Sequence, residues 1–320
     1  MNTRINSLAL ALAAGACGPA LAQSNVSISG YLDIGVYRDT ASKWNVGSIQ
    51  RSNIAFSGSE DMGGGLSATF KLSHRFDPDT GTAEGAPNKP FWHGESTVGL
   101  KGGFGAIRFG RALDAMYNND WNFDPWYYFD RVASPAWDLW HYNFPSDPQG
   151  NNGTADYGRL NNGIFYDSPT LSGFSAHLST SPELRAGDLN RPVGVSLTYN
   201  QSPFAAMLAH EKNSAGNTDT FVGLKGTLSG VTLMGAYDTS KAGASTAKTT
   251  TLGVQYSFGQ TTLNGGWGKV QVDGVKAEEV FSLGAIYALS KRTSVYADLA
   301  DKRFPTGSKS VYGAGIAHSF

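Results

Sequence analysis

Charged side chains are the residues of this 320-residue chain that could act on a solute. Five cations lie on the polar face of segments in which apolar and polar residues alternate: Arg51, Lys71, Arg75, Arg108 and Arg159. Carboxylates are concentrated in one long link, at Asp114, Asp120, Asp124, Asp130 and Asp138. Facing each other across water, such groups would create a transverse field. A unit pair 4 Å apart is worth about 1 kcal/mol in bulk water and about 4 kcal/mol at an effective dielectric near 20. That strength biases ion movement without tight binding.

Patterns for catalysis or cofactor binding are weak. The six histidines are scattered, and no two have the i, i+4 spacing around a glutamate that marks a zinc-binding helix. The run Gly63-Gly64-Gly65 lies in a predicted turn between strands, so it cannot present a helix N-terminus to a phosphate. We expect no cofactor, no metal and no enzymatic activity. The alternative is a hydrolase using His177 and Asp33, although polar surfaces produce Ser/His/Asp sets by chance.

Composition excludes several classes of protein. The formal net charge is −1, which favours neither a nucleic-acid binder nor an acidic tail. Glycine accounts for 40 residues, above the usual ~7%, and charged residues for only 16%, below the usual ~25%. Mean hydropathy is −0.26, and no stretch after the N-terminal segment is apolar over the ~18 residues of a membrane-spanning helix.

The N-terminus has the pattern of a secretory signal. Arg4 precedes an apolar run, and Ala20-Leu21-Ala22 supplies small residues before Gln23. We predict a signal peptide over residues 1–22, cleaved after Ala22. The single cysteine, Cys17, then leaves with the signal; a lipoprotein signal modified at Cys17 is the less favoured interpretation.

Alternation of apolar and polar residues is the main structural signal after residue 25. In one segment Leu66, Ala68, Phe70 and Leu72 alternate with Ser67, Thr69, Lys71 and Ser73. The chain ends similarly, with Tyr312, Ala314, Ile316, His318 and Phe320 on one face. Sixteen strands are predicted, at residues 26–37, 47–59, 65–76, 91–101, 104–111, 158–167, 173–181, 192–200, 204–211, 219–227, 231–239, 249–258, 261–271, 277–289, 293–302 and 309–320.

An even number of alternating strands predicts an all-β, 16-stranded antiparallel transmembrane β-barrel over residues 23–320. Short turns such as Gly102-Gly103 are interspersed with longer polar links such as 77–90, 241–248 and 305–308, as expected for the two rims of a barrel. A soluble all-β fold is the alternative, but its strands would show apolar residues on a second face. Tyr199, Phe204, Phe258 and Phe320 flank short turns and suggest an interfacial girdle.

Residues 112–157, here called the aromatic segment, break this rhythm. The segment is longer than any other link and carries twelve aromatic side chains, among them Trp121, Trp126, Tyr127 and Phe129. Long links in compact proteins are usually functional. Its rings could pack on a barrel wall or form a stacking surface for a ligand, and the sequence leaves both readings open.

Several motifs resemble one protein family. They are Ile54–Leu66 with Phe70, Val98–Arg111, Tyr166–Pro169, Gly173-Phe174 and His318–Phe320. Together they are similar to the trimeric general-diffusion porins of Gram-negative bacteria, most of all those of β-proteobacteria. The resemblance implies that the aromatic segment folds into the lumen as a constriction loop, and it matches Arg159 to a constriction arginine. Asn53 and Gly94 stand where relatives often carry arginine, which leaves Arg51 and Arg75 as candidates to compensate.

The function implied is a water-filled outer-membrane channel for passive diffusion of ions and small hydrophilic solutes. The predicted constriction comprises Arg51, Arg75, Arg108 and Arg159 facing Asp114, Asp120 and Asp124. The arginines favour anions and the aspartates cations, so the preference stays open. By resemblance we expect a homotrimer in contact with outer-membrane lipid and lipopolysaccharide, and no nucleic acid. The alternative is a channel specific for sugars or aromatic acids that bind the aromatic segment.

Overall fold

The computed structural model describes residues 25–85, 90–147 and 158–320. The predicted signal peptide, its cleavage site and Cys17 lie outside these residues, as does the end of the aromatic segment at 148–157. Those assignments therefore stay predictions.

Within the described residues the chain forms eighteen strands, connected in sequence and paired antiparallel. They are β1 (Asn25–Arg38), β2 (Trp44–Gly47), β3 (Ser52–Gly63), β4 (Leu66–Asp77), β5 (Thr82–Ala83), β6 (Glu95–Gly102), β7 (Gly105–Leu113), β8 (Arg159–Asp167), β9 (Phe174–Thr180), β10 (Val193–Gln201), β11 (Phe204–Lys212), β12 (Thr218–Leu228), β13 (Val231–Ala242), β14 (Ser245–Phe258), β15 (Thr261–Val272), β16 (Val275–Ala288), β17 (Thr293–Phe304) and β18 (Gly307–Ser319).

The sheet closes on itself. Strand β1 pairs with β18, with Tyr31 opposite Ser319, and Gly30 and Phe320 exchange backbone hydrogen bonds of 3.0 and 3.1 Å. The two short strands add to existing pairs: β2 continues the partnership of β1 beyond β3, and β5 continues that of β4 beyond β6. Sixteen strands remain in the ring, which confirms the predicted 16-stranded barrel.

The two faces of the barrel wall differ in polarity. On β14 Leu252, Val254 and Tyr256 are exposed, whereas Thr249, Thr251 and Gln255, at the alternate positions, are buried. An apolar outer face and a polar inner face suit a barrel surrounded by lipid and filled with water.

Three local differences from the predicted strands have physical causes. The predicted strand 47–59 is interrupted because the Asp33 carboxylate accepts hydrogen bonds from the amides of Ile49 (2.8 Å) and Gln50 (2.7 Å), which leave the ladder. Strand β6 begins four residues later than predicted, since Phe91 stacks on His74 with ring centroids 4.3 Å apart. The predicted long links at 241–248 and 305–308 are largely strand, and only two residues connect β13 to β14 and β17 to β18.

The aromatic segment contains a 3₁₀ turn, Asp120–Phe123, and one short helix, α1 (Pro135–Leu139). Ser134 caps α1 by accepting a hydrogen bond from the Trp137 amide at 3.1 Å, and proline fits the first helical position. Among the described residues, no helix is long and apolar enough to cross a membrane.

The aromatic segment packs on the inner face of strands β12–β16. Phe123 occupies the space of a missing side chain at Gly223, where an added Cβ would lie 2.5 Å from its ring. Pro125 lies against Gly253 in the same way. These glycines let the segment approach the barrel wall closely.

Candidate functional site

A cavity of about 510 Å³ lies between part of the barrel wall and the aromatic segment. The barrel contributes five cations, here called the basic wall: Arg51, Lys71, Arg75, Arg108 and Arg159. The aromatic segment contributes Trp121, Trp126, Tyr127 and Phe129. The four arginines predicted from the sequence therefore lie at one cavity, together with Asn53 and Gly94.

One group of cations in and beside the cavity surrounds Glu84, which follows β5. Its carboxylate lies 3.7 Å from Arg51 Nε, 3.8 Å from Arg75 Nη1 and 3.2 Å from Arg131 Nη2. Burial alone would raise the pKa of Glu84, but Arg51, Arg75 and Arg131 outweigh burial and lower it to about 2. Glu84 is thus a carboxylate at every ordinary pH and holds these arginines together. Sequence reasoning missed both Glu84 and Arg131.

A second group is centred on Glu95 of β6. Lys71 Nζ lies 2.8 Å from one Glu95 oxygen, and Arg108 Nη1 lies 2.9 Å from the other. Arg108 also reaches Asp167 at 3.2 Å. Arg159 donates from Nε to the backbone carbonyl of Gly94 at 2.8 Å.

The charge of the cavity is unbalanced. Five cations line it but only one carboxylate, Glu95, among the described residues. Glu84 and Arg131, close behind the lining, cancel each other. Like-signed side chains around a narrow pore select ions of the opposite sign.

The three predicted pore aspartates do not line this cavity, because their carboxylates are buried within the aromatic segment. Asp114 accepts hydrogen bonds from the amides of Met116 (3.0 Å) and Tyr117 (2.9 Å) and from Ser146. Asp124 accepts from the amides of Trp126 (2.9 Å) and Tyr128 (3.0 Å). The carboxylates of Asp114 and Asp124 each close a local turn.

Burial makes these carboxyl groups weaker acids. It raises the pKa of Asp124 to about 6, despite the hydrogen bonds that Tyr128 and Ser134 donate. Burial also raises the pKa of Asp114 and Asp120. Asp130 repeats the turn, accepting from the amides of Val132 (2.8 Å) and Ala133 (2.7 Å). In the structure, these aspartates therefore stabilise the fold of the aromatic segment.

The third aspartate, Asp120, belongs to a cluster around His141. Its Oδ2 lies 2.9 Å from His141 Nε2, while His141 Nδ1 lies 2.7 Å from Asp219 Oδ2 and 2.9 Å from Asp238 Oδ2. All four side chains are buried. Burial alone would lower the pKa of His141, but the carboxylates of Asp238 and Asp219 raise it well above its usual value.

The charged imidazole ties the aromatic segment to two strands. Asp219 belongs to β12 and Asp238 to β13, whereas Asp120 and His141 belong to the segment. The donor atoms of His141, Asp219 and Asp238 lie within 4.8 Å of one another, so this trio could also hold a metal ion. Sequence reasoning missed the cluster because its members are far apart along the chain.

Strand β17 provides further attachment. Trp126 Nε1 donates to Asp298 Oδ1 at 2.7 Å, and Lys302 Nζ lies 2.6 Å from Asp138 Oδ2. Both contacts fix the aromatic segment beside the cavity.

The residues considered for hydrolysis have separate partners. Asp33 accepts from the hydroxyl of Tyr296 at 2.6 Å, and His177 Nδ1 lies 2.7 Å from Asp167. The structure does not bring Asp33 and His177 into one hydrogen-bonded set.

Comparisons with known proteins agree with this geometry. A family model described as Gram-negative porin matches residues 9–307. The chain is 29% identical to outer membrane porin protein 32 of Delftia acidovorans, over 97% of this chain and 94% of that protein. It is 27% identical to major outer membrane protein P.IB of Neisseria lactamica, over 86% and 87%. The fold matches an anion-selective porin from Comamonas acidovorans with a TM-score of 0.80 at 23% identity, over 93% of this chain and 100% of that one.

Proposed function

Because the chain belongs to the Gram-negative porin family, we propose that the cavity beside the basic wall is its channel constriction and that it favours small anions. The protein itself is an outer-membrane porin, a water-filled channel for passive diffusion of ions and small hydrophilic solutes. The constriction is formed by the basic wall and the aromatic segment, residues 112–157.

The observation that carries the anion preference is the ratio of five lining cations to one lining carboxylate. An anion that loses part of its hydration shell in the constriction is compensated by the field of the cations, whereas a cation is repelled. The printed name of the similar Comamonas acidovorans structure, an anion-selective porin, agrees with this direction.

The test is the zero-current potential of the purified protein in a planar bilayer separating two KCl concentrations. We expect the sign for chloride preference, and we expect the preference to weaken at high salt because mobile ions screen the wall. A potential of the opposite sign, or a value of zero, would overturn the assignment.

Two finer assignments complete the proposal. The porin assembles as a homotrimer in contact with lipid and lipopolysaccharide, which the family relationship supports. A heat-sensitive high-mass band on unboiled gels would test this. The mature chain begins at Gln23 after cleavage behind Ala22, and N-terminal mass analysis of the exported protein would test that boundary.

A further inference from the structure

The aromatic segment presents rings to the constriction where carboxylates were expected. The carboxylates of Asp114 and Asp124 close buried turns and that of Asp120 pairs with His141. Trp121, Tyr127 and Phe129 line the cavity shared with the basic wall. An entering solute therefore meets cations on the barrel side and aromatic faces on the segment side. This pairing complements a molecule with a negative end and a flat apolar body.

Tyr127 is held in this position by an unusual backbone. Its φ is 55° and that of Tyr128 is 65°, a left-handed conformation that bulky residues rarely adopt. Tyr128 turns inward onto Trp140, with ring centroids 5.7 Å apart, whereas the Tyr127 side chain remains 42% exposed. Asp124 fixes the turn by binding the amides on both sides of Tyr127, those of Trp126 and Tyr128. Residues in sparsely populated backbone regions concentrate at ligand-binding sites.

Neighbouring rings extend the apolar surface. The Trp121 and Tyr127 ring centroids are 6.1 Å apart. On the cationic side Lys71 is the most accessible group, with half of its side chain exposed, while the Arg51 guanidinium already lies 4.7 Å from the Trp137 ring. The cavity, about 510 Å³, is within the usual size range of small-molecule sites.

We propose that the constriction contains a weak binding subsite for planar aromatic carboxylates such as benzoate. The ring lies against Tyr127 and Trp121, and the carboxylate is bound by Lys71 and the neighbouring arginines. This inference rests on the proposed anion preference and adds a ligand class to it. Aromatic rings attract one another beyond simple area burial, so the site distinguishes a flat ring from a saturated one.

The test compares three monocarboxylates of equal charge at pH 7 as blockers of chloride current through single channels: benzoate, cyclohexanecarboxylate and acetate. We expect benzoate to give saturable block at a concentration about fivefold below that of cyclohexanecarboxylate, and acetate to give none. Equal block by the two ring compounds, or no saturable block by benzoate, would overturn the subsite.

Variants of Tyr127 connect the block to the structure. Tyr127→Phe keeps the ring and should keep the benzoate block, whereas Tyr127→Leu should raise the half-blocking concentration about fivefold without changing the zero-current potential. Tyr142→Ala is a matched control, because Tyr142 is a similarly exposed ring of the same segment that does not line the cavity. Unchanged block in Tyr127→Leu would overturn the proposal. A cation-selective potential would instead refute the proposed function, so the two failures are distinguishable.

Discussion

The two sides of the barrel interior use charge in opposite ways. On the basic wall, cations from the region of β3, β4, β7 and β8 remain at a water-filled cavity and share two glutamates. Under the aromatic segment, inward carboxylates such as Asp219, Asp238 and Asp298 are covered and bind groups of the segment. A polar inner face thus serves permeation where it is open and attachment where it is covered.

Burial determines how much each charge contributes to stability at the cavity and under the aromatic segment. Lys71 at the cavity has half of its side chain exposed and is screened by water and salt, so losing its charge changes ion preference more than stability. Arg75 and Arg159 also line the cavity but are only 9% and 3% exposed, so losing either charge affects stability as well. A buried charge is costly unless it has a partner, so losing one partner weakens the whole attachment. The predictions below test this contrast, beginning with the largest effect.

His141→Ala should have the largest effect, on the attachment of the aromatic segment and on stability. The change removes the cation between Asp120, Asp219 and Asp238 and leaves three buried carboxylates unpaired. Breaking a buried pair typically costs about 3–5 kcal/mol. We expect the aromatic segment to detach, with larger and noisier single-channel conductance and lower thermal stability. His210→Ala, at an exposed histidine of β11, is the control. A quiet channel of normal size in His141→Ala would show that the cluster does not hold the segment.

Alkaline pH should weaken the same attachment. Because the folded pKa of His141 is raised, its stabilisation is complete below its ordinary value of about 6.5 and is lost as pH rises through the raised value. Asp120, Asp219 and Asp238 are the charged groups facing the ring. Channel noise should therefore increase at high pH in the wild type. If His141→Ala shows the same alkaline increase, another group is responsible.

Arg159→Ala should change ion preference, and because Arg159 is almost fully buried the change should also lower stability. Removing one cation from the lining should shift the zero-current potential toward cations and slightly raise conductance, because the side chain also occupies space. The pair energy at stake is about 1 kcal/mol at 4 Å in bulk water. Arg303→Ala removes an equal charge that pairs with Asp301 outside the cavity lining and should leave the potential unchanged. An equal shift in both variants would mean that total charge, not the basic wall, sets the preference.

Glu84→Gln should give the smallest change in ion preference, and its sign should be opposite to that of Arg159→Ala. Loss of one carboxylate among Arg51, Arg75 and Arg131 should modestly strengthen chloride preference. In the wild type the pKa of about 2 means that the stabilisation by Glu84 is present above about pH 4.5 and is lost only as pH falls through about 2. Acid titration of the potential between pH 4 and 3 should therefore be identical in variant and wild type, apart from a constant offset. A step present only in the wild type would contradict the lowered pKa.

The sequence predicted the barrel well because period-2 alternation is local and repeats in every strand. Strand parity could indicate that Arg51, Arg75, Arg108 and Arg159 share the inner face, although it could not set their heights in the barrel; in the structure all four lie at one cavity. The direction of the aspartates was not predictable in this way. The sequence alone does not distinguish an aspartate that closes a turn, such as Asp114, Asp124 or Asp130, from one that faces water.

Contacts between residues far apart along the chain could not be predicted from the sequence for another reason. His141 lies 78 residues from Asp219 and 97 from Asp238, and no short motif joins them. Their meeting depends on how the aromatic segment packs against β12 and β13. Glu84 was missed similarly, because its importance comes from arginines of three separate parts of the chain.

The two-residue links after β13, β15 and β17 give one side of the barrel a low rim. An added Cβ at Gly243 or Gly274 in these links, or at Gly307 directly after the third link, would meet nothing within 4 Å, and all three residues have positive φ. A foreign epitope or reporter peptide grafted into these links would project away from the molecule without displacing a neighbour. The same graft between β7 and β8 would obstruct the channel. The low rim is therefore the best site for inserting a tag or epitope.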